Sequence, residues 1–270
     1  MPFQYKKVLV LGGTSGIGKA MAEKFLDEGS AVIVVGRRKE NLDAFAQEHG
    51  SKAEGKVDTV VFDITDLKGI PSFANDIISK HPDLDCVFIN AGIQRHLLWQ
   101  EPEKVDLDLA EKEFTTNYTS PLHLTKAFLP FLQKQAPKPT SLVFVTSGLA
   151  LVPNAHQPGY CASKAALHHM VLAMRLQMKE IESNVKIVEL LPPAVQTELH
   201  DDKHQPEFQG KGAKFGMPLD EFTEEAYEGL SAGEEHVPVQ AARTFMGYGT
   251  WEQERQKAMV TMWERQRAQK

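Results

Sequence analysis

Short apolar runs alternate with longer stretches of mixed polarity along the chain. VLVLGG from Val8, AVIVVG from Ala31, TVVFDI from Thr59, DCVFIN from Asp85, LVFVTS from Leu142 and VKIVELL from Val185 are almost continuously apolar. Runs of this kind are strands covered on both faces, since a half-exposed strand would alternate apolar and polar residues. The segments between them carry helical spacing: residues 17–28, closed by Gly29, a second starting near Glu40, and a third ending near Lys80. Leu167, Met170, Val171, Met174 and Met178 recur at the same spacing and predict one buried helix face. Strands alternating with helices predict βαβ units and a parallel sheet. Right-handed crossovers then give a doubly wound α/β fold of about seven strands, the last a short one within residues 235–239.

Two stretches break this rhythm. Residues 198–219 are polar, rich in turns and weakly periodic, and a loop of that length in a compact domain is usually functional or mobile. Residues 238–270 read as mostly helical with dispersed charge, either docked on the body or solvated. The whole chain, 1–270, reads as one domain, with a core at about 6–197 and the loop and C-terminal helical part at about 198–270.

Composition narrows the function classes. The 270 residues are enough for one sizeable domain, and 42% apolar with 24% charged residues is ordinary for a soluble globular protein. A net charge of −6 argues against a nucleic-acid or polybasic membrane-surface role, and no apolar run reaches the length of a membrane span. Lys6 and Lys7 precede an apolar run of residues 8–11, too short for a secretory signal, so a cytoplasmic protein is expected. Cys86 and Cys161 fit no metal or disulfide spacing and read as reduced thiols. His168 and His169 are adjacent on a helix and point apart, and no metal site is expected.

The first strand runs into GGTSGIG, Gly12 to Gly18, where a strand-to-helix turn must lie. Backbone N–H groups of such a turn, with the positive end of the following helix, form an anion site. Gly12, Gly16 and Gly18, with Thr14, Ser15 and Ile17 among them, are candidate phosphate-binding residues of a Rossmann-type dinucleotide domain. The glycine spacing is GxxxGxG rather than GxGxxG. The residue after the second strand selects between dinucleotides: an acid there accepts bonds from a ribose 2′-OH. This chain has Arg37 and Arg38, which suit a 2′-phosphate, so NADP(H) is expected over NAD(H).

A second constellation lies in VTSGLALVPNAHQPGYCASK, which begins at Val145. Tyr160 and Lys164 stand four apart, on one helix face one turn apart. A free tyrosine titrates near pH ~10 and is a poor base at neutral pH. A cation held nearby favours the phenolate, so Lys164 is expected to lower the Tyr160 pKa. Ser147 ends the fifth strand, at the edge of a parallel sheet where ligands bind, and could hold the same substrate oxygen. With a nicotinamide carrying hydride, that set completes a carbonyl–alcohol interconversion.

These residues resemble the classical short-chain dehydrogenase/reductase family over residues 8–197. The glycine turn, the NAG motif at Asn90, Ala91 and Gly92, Asn117 in TTNYTSP, and Ser147, Tyr160 and Lys164 all match, although Leu11 stands where the family usually has Thr. The resemblance implies that Asp63, with Ile64 beside it, meets the adenine, and that Asn90 to Gly92 line the adenosine ribose. It implies that Lys164 holds the nicotinamide ribose and that Asn117 keeps a proton-relay water. It also implies that Pro192, Val195 and Thr197 meet the carboxamide. Pro192-Pro193 replaces the usual Pro-Gly, so the loop there must take a different path. The resemblance implies a homo-oligomer, and the missing glycine-terminated seventh strand favours a dimer over a tetramer. NAGIQ, TSGLA, YCASKAALH and PPAV are similar to the narrower DltE-like oxidoreductases.

The expected activity is an NADP(H)-dependent oxidoreductase acting on CH–OH groups of a small molecule. A same-fold epimerase or dehydratase with retained cofactor and a non-enzymatic NADP(H) sensor are the alternatives. His96 and His156 are candidate substrate contacts; for His96, as for Trp99, a packed or exposed loop position fits equally.

Overall fold

The computed structural model describes residues 3–50, 55–201, 205 and 210–268. Seven strands form one sheet in the order β3-β2-β1-β4-β5-β6-β7. They are β1 (Lys7–Leu11), β2 (Ala31–Gly36), β3 (Val57–Val61), β4 (Cys86–Ile89), β5 (Thr140–Val145), β6 (Val185–Leu191) and β7 (His236–Pro238). Every neighbouring pair is parallel. The order reverses between β1 and β4, which opens a crevice at their carboxyl ends.

The apolar runs become strands because each is covered twice. On one face Val8, Val10, Val34, Phe88 and Val188 pack with Phe25 of α1 (Gly16–Asp27), Phe45 of α2 (Lys39–His49) and Phe222 of α7 (Leu219–Ser231). On the other, Leu9, Leu11, Val87 and Phe144 meet Phe73 of α3 (Ile70–Lys80), Phe128 of α5 (Ser120–Gln133) and Leu167 of α6 (Pro158–Glu180). On α6 the predicted face appears as Leu167, Val171 and Met174 buried, with Met170 and Met178 partly so.

Boundaries depart from the sequence pattern at the sheet's edges. The third strand starts at Val57 and stops at Val61, and Phe62, Asp63 and Ile64 turn away to form the crevice wall. The seventh strand is three residues long, and backbone bonds from Glu189 N–H to Glu235 O at 2.9 Å and from Val239 N–H to Leu191 O at 3.2 Å extend its register at either end.

Residues 202–204 and 206–209 of the predicted loop, and 269–270 of the tail, lie outside the described residues. The described part of the loop forms two short 3-10 turns, Glu198–His200 and Gly212–Lys214, and Met217 bridges to Val195. The tail forms α8 (Ala241–Thr244), one π turn (Tyr248–Glu252) and α9 (Gln253–Arg267). No residue of α9 is buried, whereas Glu252 just before it is fully buried. No described helix is long and apolar enough to cross a membrane.

Candidate active site

The crevice is a cleft of about 650 Å³ running from Arg37 and Arg38 to Ser147 and Tyr160. Its floor is the turn after β1. Gly12 and Gly13 donate their N–H groups to Val35 O at 2.9 and 3.0 Å, folding the turn against β2. Gly12 has φ +78°, and a Cβ there would stand 2.7 Å from Ala91 Cα. Only glycine satisfies both conditions. Asn90 donates from Nδ2 to Gly12 O at 3.0 Å, so the NAG segment braces the turn as well as lining the cleft. Gly12, Thr14, Ser15, Gly16 and Ile17 line the cleft; Gly18 is buried behind it, where a Cβ would stand 2.5 Å from Asn90 Nδ2.

At the far end Arg38 donates to Ser15 Oγ at 2.7 Å and Thr14 Oγ1 at 3.3 Å, and pairs with Glu198 Oε2 at 2.8 Å. Arg37 lies 3.7 Å from Asp63 Oδ2. Burial would raise the Asp63 pKa, but bonds from the Thr65 N–H and hydroxyl, with the charge of Arg37, hold it below the usual carboxylate value. Both guanidinium groups, Asp63 and Ile64 therefore face the same end of the cleft. A glycine floor that admits no Cβ, beside hydroxyl-bearing Thr14 and Ser15, fits the phosphates of a dinucleotide.

At the near end Ser147 begins where β5 stops, and its hydroxyl accepts the Leu149 N–H at 3.1 Å. Tyr160 lies in the first turn of α6 and is 6% exposed, and the Ser147 side chain is close enough to favour its phenolate. Lys164, one turn on, is 4% exposed; its ammonium donates to Val145 O at 2.9 Å and stands 5.7 Å from the Tyr160 ring centre. Burial pushes the Tyr160 phenol above its ordinary value, with the nearby Ser147 side chain opposing, so burial rather than Lys164 governs it here. Burial likewise lowers Lys164 to about 8, against the pull of Glu113.

Asn117 is fully buried and sits in a π turn, Thr115–Thr119, between α4 (Leu107–Phe114) and α5. Its amide accepts the Ile93 N–H at 2.9 Å and donates to Ile93 O at 2.8 Å and Ser163 Oγ at 3.0 Å. Gly92 separates it from Lys164: a Cβ on Gly92 would lie 3.2 Å from Asn117 Oδ1 and 3.4 Å from Lys164 Nζ. Pro192, Val195 and Thr197 line the wall opposite, with Pro192 O accepting the Gly148 N–H at 2.8 Å. Pro193 has no N–H to offer the cleft, as its chemistry requires. His96 and His156 stack at the mouth with ring centres 5.7 Å apart, and the His96 ring is bonded to Gln157 at 2.8 Å. Trp99 is exposed and does not line the cleft.

Met246 of the tail lines the cleft with no signal in the sequence. Phe215 and Glu198 line it from residues 198–219, the stretch whose length already marked it as functional or mobile. Glu113 is a different case: it stands four residues before Asn117 on one helix face, a spacing that could have drawn attention to it.

The short chain dehydrogenase family model matches residues 6–207. The DltE protein of Bacillus subtilis, named as an uncharacterized oxidoreductase, is 31% identical over 230 residues, 85% of this chain and 86% of its own. A benzil reductase of Saccharomyces cerevisiae is 31% identical over 201 residues, 73% of this chain and 74% of its own. A Burkholderia phymatum short chain dehydrogenase/reductase, solved with NAD, superposes with a TM-score of 0.80 at 17% identity. The match covers 90% of this chain and 92% of that one, and shows a shared fold.

Proposed function

The chain belongs to the short chain dehydrogenase family of oxidoreductases, and we propose that it interconverts a carbonyl and an alcohol with NADP(H). The observation that carries this reading is one cleft with Tyr160, Ser147 and Lys164 at one end and Arg37 and Arg38 at the other. Gly12, Thr14, Ser15, Gly16 and Ile17 would hold the phosphates, Arg37 and Arg38 the 2′-phosphate, and Asp63 and Ile64 the adenine side. Asn90, Ala91 and Gly92 would line the ribose, and Pro192, Val195 and Thr197 the carboxamide. When bound, the nicotinamide supplies or takes up the hydride.

The residues of the chain handle the proton. In reduction Tyr160 gives its phenolic proton to the carbonyl oxygen as charge builds there. An ordinary phenol is protonated at neutral pH, and burial favours that form further, so the proton to be given is in place. Ser147 donates a hydrogen bond to the same oxygen and fixes its position. Lys164, held by Val145 O, keeps a positive charge one turn from Tyr160 and stabilises the phenolate left after transfer. Asn117 holds the Ile93 backbone beside Lys164, on the route by which a proton returns.

The test is a fluorescence titration with NADPH and with NADH, followed by turnover of a carbonyl panel led by benzil, the compound in the yeast relative's name. Preferential NADPH binding and NADPH-dependent reduction are expected. Tyr160→Phe is expected to keep NADPH affinity within about threefold and lose at least about 100-fold in kcat, the general-acid contribution. A fully active Tyr160→Phe protein would overturn the role of Tyr160, and failure to bind either nucleotide would overturn the oxidoreductase reading.

A further inference from the structure

Helix α4 buries a single one of its eight residues, and that residue is Glu113, only 1% exposed. A buried carboxylate is expensive to keep unless the fold uses it. Glu113 Oε1 accepts the Arg95 N–H at 2.7 Å. Its other oxygen presses on Gly159 in the first turn of α6, where a Cβ would stand 2.6 Å from Oε2. One turn along the same helical run, Asn117 accepts the Ile93 N–H at 2.9 Å. Two side chains a turn apart thus hold alternate amides of the segment that follows β4. That segment carries Gly92 on the Lys164 side and Gln94, Arg95 and His96 on the cleft wall.

Resting on the function proposed above, we propose that Glu113 is a positioning residue of this site. It clasps the 93–95 segment to the helix turn that carries Tyr160, and its negative charge keeps the Lys164 ammonium charged. The ionisable groups around it agree with this. Arg95 and Lys164 attract it, and the thiol of Cys161 and the phenol of Tyr160 are both raised by it, after burial. Burial lifts Glu113 itself to about 7, against the Arg95 N–H bond and the two cations, so its charge changes within the physiological range. Glycine at 159 follows from the same contact, because any side chain there would displace the carboxylate.

Glu113→Gln and Glu113→Ala separate the clasp from the charge. The glutamine oxygen still accepts the Arg95 N–H but carries no charge; alanine removes both. Amide hydrogen exchange of residues 93–97 in the intact protein is expected to quicken at least about tenfold in Glu113→Ala and less than about threefold in Glu113→Gln. NADPH affinity, followed by fluorescence from pH 6 to 10, is expected to fall as Lys164 loses its proton. In Glu113→Gln that fall should begin about half to one pH unit lower, since the charge that held the proton is gone. Unchanged exchange in both variants, or an unshifted pH dependence in Glu113→Gln, would overturn the proposal. Should Glu113→Ala not fold, the glutamine variant still decides the matter: an unshifted profile rejects it and a shifted one with protected amides supports it. Wild-type protein that binds no NADPH would overturn the function reading and the charge role together, while the exchange data would still judge the clasp.

Discussion

Replacing His168 with leucine removes the bridge between two buried carboxylates. His168 Nδ1 lies 2.7 Å from Glu189 Oε1 on β6, and Nε2 lies 3.0 Å from Glu252 Oε1 at the start of α9; all three side chains are fully buried. Glu189 also accepts the Thr146 hydroxyl at 2.7 Å, and Thr146 is the residue before Ser147. Arg255 pairs with Glu252 at 2.6 Å, and His236, in contact with Arg175, stands 3.4 Å from Glu189. This network fastens the otherwise solvated α9 to the strand beside the site.

Burial alone would lower the His168 pKa, but its bonds to Glu189 and Glu252 outweigh that and hold it at about 9, against an ordinary 6.5. At ~1.4 kcal/mol per pH unit the rise corresponds to about 3 kcal/mol, and removing one partner of a buried pair costs roughly 3–5 kcal/mol. Because the folded pKa lies above the unfolded one, this stability is complete below about pH 6.5 and lost as pH rises through about 9. His168→Leu should therefore lower Tm by about 6–12 °C at pH 6.5. The gap to wild type should narrow steadily toward pH 10. Thermal unfolding of both proteins from pH 6 to 10 measures this. A loss under about 2 °C at pH 6.5, or a gap that does not change with pH, would refute the reasoning.

Arg38→Ala should weaken NADPH binding about ten- to a hundredfold, the worth of one charge-assisted contact, while NADH affinity moves less than about threefold. Parallel titrations give both numbers, and equal losses for the two nucleotides would mean that Arg38 serves the turn rather than the 2′-phosphate. Gly12→Ala places a side chain at φ +78° against the Ala91 backbone. It should lower Tm by several degrees and abolish measurable nucleotide binding, because the left-handed conformation alone costs about 1–2 kcal/mol. Wild-type affinity in that variant would show the turn to be adaptable.

The parallel sheet was legible because its strands are short and covered twice. Their apolar runs, the glycine turn and the helical spacing are local signals, readable without knowing what they touch. Gly12, Ser147, Tyr160 and Lys164 were legible for a related reason. A doubly wound fold places the ends of β1 and β5 and the start of α6 at one crevice, so position along the chain already implied position in space. Three matters were not local. The expectation that Lys164 governs Tyr160 rested on a four-residue spacing, whereas burial governs the phenol, and burial is a property of everything packed around it. His168 looked like half of an unremarkable pair on a helix; its two carboxylates arrive from positions 189 and 252, too distant in the chain for any pattern to link them. Glu113 shares a helix face with Asn117, a spacing the sequence does show, but its burial against Arg95 and Gly159 comes only from packing. The sequence by itself determined the sheet, the turn and which residue types meet at the crevice, because backbone periodicity and residue type are properties of neighbours. Tertiary structure decided which charges are buried and against what, because desolvation and ion pairing depend on distances that close only when the chain is folded.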